Sequence, residues 1–166
     1  MAEPSDAAAP PWRQRSSWWL SRFLFLRVLG LIYTVAFLGL ANDVLPLIGS
    51  EGLLPADSYV EWVQQRTSGT WQAITKSPSL FHLAISDGLL QGLAWLGVGL
   101  SVLLLFGFAN VPLLAALWAL YFSFVSIGQR WFHFGWESQL LETGLLAVFL
   151  VPLLDPRPLP RNSPPP

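Results

Sequence analysis

Apolar residues gather into four runs, about 20–41, 88–108, 112–127 and 138–154, divided by two short polar breaks and one long one. A helix needs roughly 17–25 mostly apolar residues to cross a bilayer, and each run approaches or reaches that length. The pattern predicts an all-α fold: a polytopic membrane protein, a bundle of about four transmembrane helices filling 18–154. Only Ala109, Asn110 and Val111 separate the second run from the third. Asn110 followed by Pro112 is a turn and helix-start signal, so these two helices are expected to form an antiparallel hairpin.

The long break, 42–87, carries its own apolar pattern and predicts a partly helical outer loop. Leu53-Leu54-Pro55 precedes SYVEWVQQR at 58–66, a short helix with Trp62 and Val63 on its apolar side and Tyr59 one turn before. Trp71 and Ile74 follow. An amphipathic re-entrant or interfacial helix fits this stretch, and nine tryptophans in the chain suit belts at headgroup level. Small residues suggest how the spans meet. Ala115, Ala119 and Ser123 recur every four residues, and Gly88 and Gly92 form a GxxxG pair, letting backbones approach.

Composition agrees with a bilayer. The apolar fraction is 53% and the charged fraction 11%, against roughly 25% charged residues in soluble domains; mean hydropathy is +0.50. The net charge of −1 argues against nucleic acid as a partner. The chain has no cysteine, which excludes disulfides and thiolate metal sites within it.

Lys and Arg positions set the expected orientation. Arg13, Arg15, Arg22 and Arg27 stand on the N-terminal side, Arg157 and Arg161 in the tail. The 42–87 loop has Arg66 and Lys76 against Asp43, Glu51, Asp57, Glu61 and Asp87. Both termini are therefore expected in the cytoplasm, with 42–87 and 128–137 on the far side. Residues 1–17 lack a basic stretch leading into a short apolar core, so no cleavable signal is expected there. That segment and the proline-rich 155–166 are both expected to be disordered. Arg22 and Arg27 lie within or beside the first span and must snorkel or pair; their topological role is favoured over binding anionic headgroups.

The last run, WFHFGWESQLLETGLLAVFLVPLL at 131–154, sets polar groups at the mouth of an apolar segment. An ionisable group there needs pairing, hydration or protonation. The expected polar intramembrane cluster is Arg130, His133, Glu137, Gln139 and Glu142. On a helix Ser138, Gln139 and Glu142 share a face. Glu137 sits at the helix start, where a capping role is favoured. Glu142 lies about a turn deeper. Its structural role is an ion pair, and Arg130 and His133 are nearer partners than Arg27. The catalytic candidates are Glu142 and His133, which as a pair would make an acid/base couple. His133 is more readily read as hydrogen-bonded to a carboxylate. The other histidine, His82, completes no metal motif, and no metal or cofactor is expected. Gly49 and Gly52 around Glu51 are turn chemistry, since no GK[ST] follows. No nucleophile elbow is present.

Three pieces of the chain resemble the N-terminal membrane region of the lipase maturation factor family: WWLSRFLFLRVLGLIYTVAFLGLAND at the first span, PLIGSEGLLP at 46–55, and FGFANVPLLAALWALYFSFVSIGQRWFHFGWESQLLETGLLAVFLVP at 106–152. They run in family order across 18–152. The resemblance implies a multi-pass protein of the endoplasmic reticulum membrane in animals, needed for certain lipases to fold and assemble. Bacterial members look like inner-membrane proteins, and the lack of cysteine favours that source. A more distant similarity links the family to the membrane part of vitamin K-dependent carboxylases. Family members usually continue into a large C-terminal domain where this chain has its proline tail, and the animal proteins carry a cysteine after GLLP where this chain has Ala56.

These readings leave three expectations. The chain is a non-enzymatic maturation factor touching secreted client proteins, or an intramembrane enzyme using Glu142 and His133, or a truncated family member persisting as a small membrane subunit. The expected partners are the lipid bilayer, secreted clients and a helix-mediated oligomer.

Overall fold

The computed structural model describes residues 19–67, 72, 74–75, 77–132 and 134–154. The tails expected to be disordered lie outside these residues, as do Trp71, Lys76, His133 and the flanking arginines at 13, 15, 157 and 161. Five α-helices are present among the described residues, with no strand: α1 (Trp19–Ile48), α2 (Ala56–Gln65), α3 (Asp87–Phe106), α4 (Val111–Ile127) and α5 (Trp136–Val148).

α1 is longer than the apolar run predicts. Its buried stripe of Tyr33, Phe37, Leu40, Ala41, Val44 and Ile48 keeps helical spacing past Ala41. Asn42 and Asp43 interrupt the run in sequence yet point outward. Pro46 removes one backbone donor but lies exposed in the last turns, where the loss is tolerated. α5 is shorter than expected, ending at Val148. Tight turns at Phe149 and Leu150 close it, their N–H groups donating to the carbonyls of Leu146 and Ala147. Pro152 then disfavours further helix, and its carbonyl accepts from Val111 N–H at 3.2 Å.

α3 runs antiparallel to α1. At one end Arg27 donates to the carbonyl of Leu105. At the other, Ser50 donates through its N–H and hydroxyl to the Asp87 carboxylate, at 2.8 and 2.7 Å. The α3–α4 hairpin is built as expected. Gly107 ends α3 at φ 108°, a left-handed conformation suited to glycine, and the Asn110 side chain caps α4 by accepting from Leu113 N–H. α5 returns along α4, tied by Trp118 Nε1 donating to the Leu141 carbonyl at 3.0 Å. The bundle thus has a hairpin end, with residues 20, 106, 111 and 152, and a cap end, with residues 48, 87, 127 and 136.

The described residues between α1 and α3 fold onto the cap end. α2 buries Ala56, Val60 and Val63. Trp62 does not join them, contrary to expectation: it is exposed, stacks on Tyr59 and carries the Arg66 guanidinium 4.2 Å above its ring. One helical position separates Trp62 from Val63, about 100° of rotation, and the valines claim the core. A short 3-10 helix (Leu80–His82) presses Phe81 against Phe124. Ser79 donates to the Ser123 carbonyl, and the Ser123 hydroxyl accepts from Leu80 N–H.

Small residues do bring helices together, but at other positions than the sequence suggested. Gly88 and Gly92 are exposed, and an added Cβ at either would meet nothing within 4 Å. Ala115 is exposed too, so the 115–119–123 stripe is buried only at Ser123. The close approaches fall at Gly30, Gly97 and Gly144. A Cβ on Gly30 would stand 2.8 Å from the backbone nitrogen of Leu105, and Gly97 and Gly144 seat the side chains of Phe37 and Tyr33.

Candidate functional site

The link from α4 to α5 begins at Gly128, where any Cβ would collide with the Phe132 ring. A 3-10 turn (Gln129–Phe132) follows, and Gly135, at φ 93°, starts α5. This chemistry folds Trp131, Phe132, Phe134 and Trp136 back toward α1. Between the aromatic turn and α1 lies a cavity of about 630 Å³, within the usual size of a ligand pocket. Its α1 wall runs from Leu31 and Ile32 through Val35, Ala36, Gly39 and Leu40 to Asp43 and Leu47. Tyr121 of α4 and Glu137 of α5 complete it.

Glu137 is the unusual residue. It is only 2% exposed, and its Oε2 is buried with no hydrogen-bond partner among the described residues. Tyr121 Oη and Trp131 Nε1, which belong to the same lining, are likewise buried without a partner. Tyr33 Oη, also unpartnered, lies directly behind, against Gly144. Tyr33 and Tyr121 meet edge to face at 6.0 Å, and Tyr121 lies 6.3 Å from Trp136. Buried polar groups are nearly always satisfied, so three unpartnered ones around one cavity single it out as the candidate site.

The expected cluster is therefore rearranged. Glu137 occupies the second position of α5 without capping it: Gly135 is the N-cap residue, and no side-chain capping hydrogen bond is present among the described residues. Its carboxylate turns inward because 137 shares the buried stripe of Leu140, Gly144 and Ala147. Ser138, Gln139 and Glu142 do share a face, as their spacing predicts, but that face points outward and all three are exposed. Arg130 is exposed as well. The structure therefore leaves Glu142, Gln139 and Arg130 exposed while it buries Glu137, and His133 lies outside the described residues. Arg27 serves α3 in place of any carboxylate: its donation to Leu105 satisfies a free carbonyl at a helix C-terminus, where positive charge is favoured. It also lies 4.7 Å over the Phe23 ring. His82 is buried in the cap, its Nε2 2.7 Å from the Ser77 carbonyl, remote in role from the cavity. Among the described residues no group of three metal-ligating side chains occurs. Asp43, Tyr121 and Trp131 were missed as site residues. The signal available for Asp43 was that it continues the α1 face of Val35 and Gly39 at intervals of four.

Comparison with known proteins gives the frame for this geometry. The family described as the lipase maturation factor transmembrane domain matches residues 20–166. Lipase maturation factor 1 of Bos taurus is 45% identical over 166 residues, covering 96% of this chain and 30% of that protein. Lipase maturation factor 1 of Homo sapiens is 40% identical, covering 95% of this chain and 29% of that protein. Lipase maturation factor 2 of Homo sapiens is 37% identical over 141 residues, covering 81% and 20%. No solved structure matches. The chain belongs to the lipase maturation factor family, and it spans about 30% of the length of the first of these relatives.

Proposed function

We propose that this chain is a multi-pass membrane domain that assists the folding or assembly of secreted proteins, lipases among them. The observation that carries the reading is the family match across 20–166, which takes in all of α1 but its first residue and every later helix. Two helices, Leu20–Ile48 and Asp87–Phe106, are long and apolar enough to cross a membrane, and α4 is a shorter apolar helix. The up-and-down order of α1, α3, α4 and α5 supports four passes, the fourth made by a helix of 13 residues that falls short of a full crossing by itself and is continued by the turns to Pro152, with residues 20 and 152 at the hairpin end. The Lys and Arg distribution favours the cytoplasm for that end.

In this orientation the cap end faces secreted clients. It presents the exposed Trp62 and Arg66, stacked beside the half-buried Tyr59, on a helix anchored by Val60 and Val63. Aromatic and arginine side chains are the ones most enriched where proteins bind strongly. The test is to delete the gene in its own host and measure secreted lipase activity per mass of lipase protein. The expected result is inactive enzyme at near-normal abundance, restored by the intact gene. Unchanged specific activity would contradict the proposal.

A further inference from the structure

The cavity beside α1 has the proportions of a lipid. From Leu47 to Leu31 its wall follows about 24 Å of helix axis, more than the ~15 Å depth of one hydrocarbon leaflet. The deep part is purely apolar: Leu31, Ile32 and Val35 are exposed along it, and Gly39 adds no side chain. The shallow part, at the cap end, is different. Asp43 and Glu137 are the charged groups in the described lining, and both are acidic. Trp131 and Trp136 stand with them.

Each chemical feature of the shallow part selects the same kind of head. Two carboxylates repel an anion and attract a cation. Aromatic faces attract an ammonium group. The buried Glu137 Oε2 has no donor among the described residues, and leaving such an atom unpaired is costly. A primary ammonium supplies both charge and an N–H, whereas a quaternary one supplies charge alone. Trp131 Nε1, a buried donor without an acceptor among the described residues, suits an ester or phosphate oxygen of the same molecule.

We propose that this groove holds one lipid carrying a primary ammonium, its head at Asp43 and Glu137 and one hydrocarbon chain along positions 31–39. The inference rests on the membrane-spanning reading above and places the lipid in the leaflet of the cap end. Phosphatidylethanolamine and a single-chain amine share the required chemistry.

The full chain, purified in mild detergent, is equilibrated with micelles containing equal parts of phosphatidylethanolamine, phosphatidylcholine and phosphatidylglycerol, and retained lipid is read by native mass spectrometry. The expected result is preferential retention of one phosphatidylethanolamine. Glu137→Gln should weaken it about ten- to hundredfold, the worth of a charge-assisted hydrogen bond. Gly39→Leu provides a second variant remote from the carboxylate. A Cβ there meets nothing within 4 Å of protein, so the leucine should occupy the groove and displace the lipid without lowering the midpoint of thermal unfolding. Glu142→Gln, on the outward face, should retain lipid as the parent does. In a parallel arm with dodecylamine, binding of the amine without phosphatidylethanolamine would keep the site and assign it to a free amine. Equal retention of the three phospholipids with no amine bound, or parent-like retention by both Glu137→Gln and Gly39→Leu, would overturn the proposal. Neither result touches the membrane reading, which fails instead if the chain is recovered from the aqueous fraction without detergent.

Discussion

The two flanks of α1 are built to opposite rules. Toward α3 the helix is closed. Gly30 lets the Leu105 backbone approach, Gly97 seats Phe37, and the polar groups along the seam have partners: Arg27 on Leu105, Thr34 on Gly30, and Gln91 on Ala41 at 2.7 Å. Toward the aromatic turn it stands apart. The wall from Leu31 to Leu47 faces a cavity, and Glu137, Tyr121 and Trp131 leave buried polar atoms unpartnered there. One helix thus serves as scaffold on one side and as the wall of a site on the other. The difference teaches where change is tolerated: the seam is fixed by volume and backbone distance, the cavity by chemistry.

Substitutions on the two flanks should separate cleanly when thermal unfolding is followed in detergent. Phe37→Ala empties the centre of the seam and should destabilise most, by about 3–5 kcal/mol. Gly30→Leu forces side-chain atoms into the α3 backbone, and we expect a loss of about 1–3 kcal/mol or more. Arg27→Met leaves the Leu105 carbonyl without its charged donor and should cost about 1 kcal/mol, in keeping with the modest worth of polar contacts between membrane helices. On the cavity flank, Gly39→Leu should stay within about 0.5 kcal/mol of the parent, and on the stabilising side, because it places a good helix former in open space. If Gly39→Leu proved as damaging as Gly30→Leu, the two flanks would be alike and the comparison would fail.

Much of this was legible in the sequence. Long apolar runs, the Asn110–Pro112 turn and the helical loop at 58–66 follow from periodicity and local turn chemistry, which act over a few residues. The reach of α1 to Ile48 was hidden because Asn42 and Asp43 look like a break, although the stripe through Val44 passes beneath them. The close contacts were misassigned for a related reason. A glycine pair signals that a backbone approach is possible, and only the partner helix decides whether it is used: Gly97 meets Phe37, Gly88 meets nothing. Within the site, the acidic start of the last helix stood out at once, but the burial of Glu137 and the exposure of Glu142 depend on the rotation of α5 about its axis. That rotation is set by Gly144 fitting against Tyr33 of α1, a contact between residues more than a hundred positions apart.

The most direct test of the account uses the absence of cysteine, which makes any introduced thiol the sole target. Glu51→Cys places one at the cap end and Leu154→Cys one at the hairpin end, both at exposed positions. In intact cells, or in sealed vesicles of known sidedness, a membrane-impermeant maleimide applied to the non-cytoplasmic face should label residue 51 and leave residue 154 unlabelled until the membrane is permeabilised. Equal labelling of both before permeabilisation would contradict a bundle that carries its cap and its acidic cavity across the bilayer from its termini.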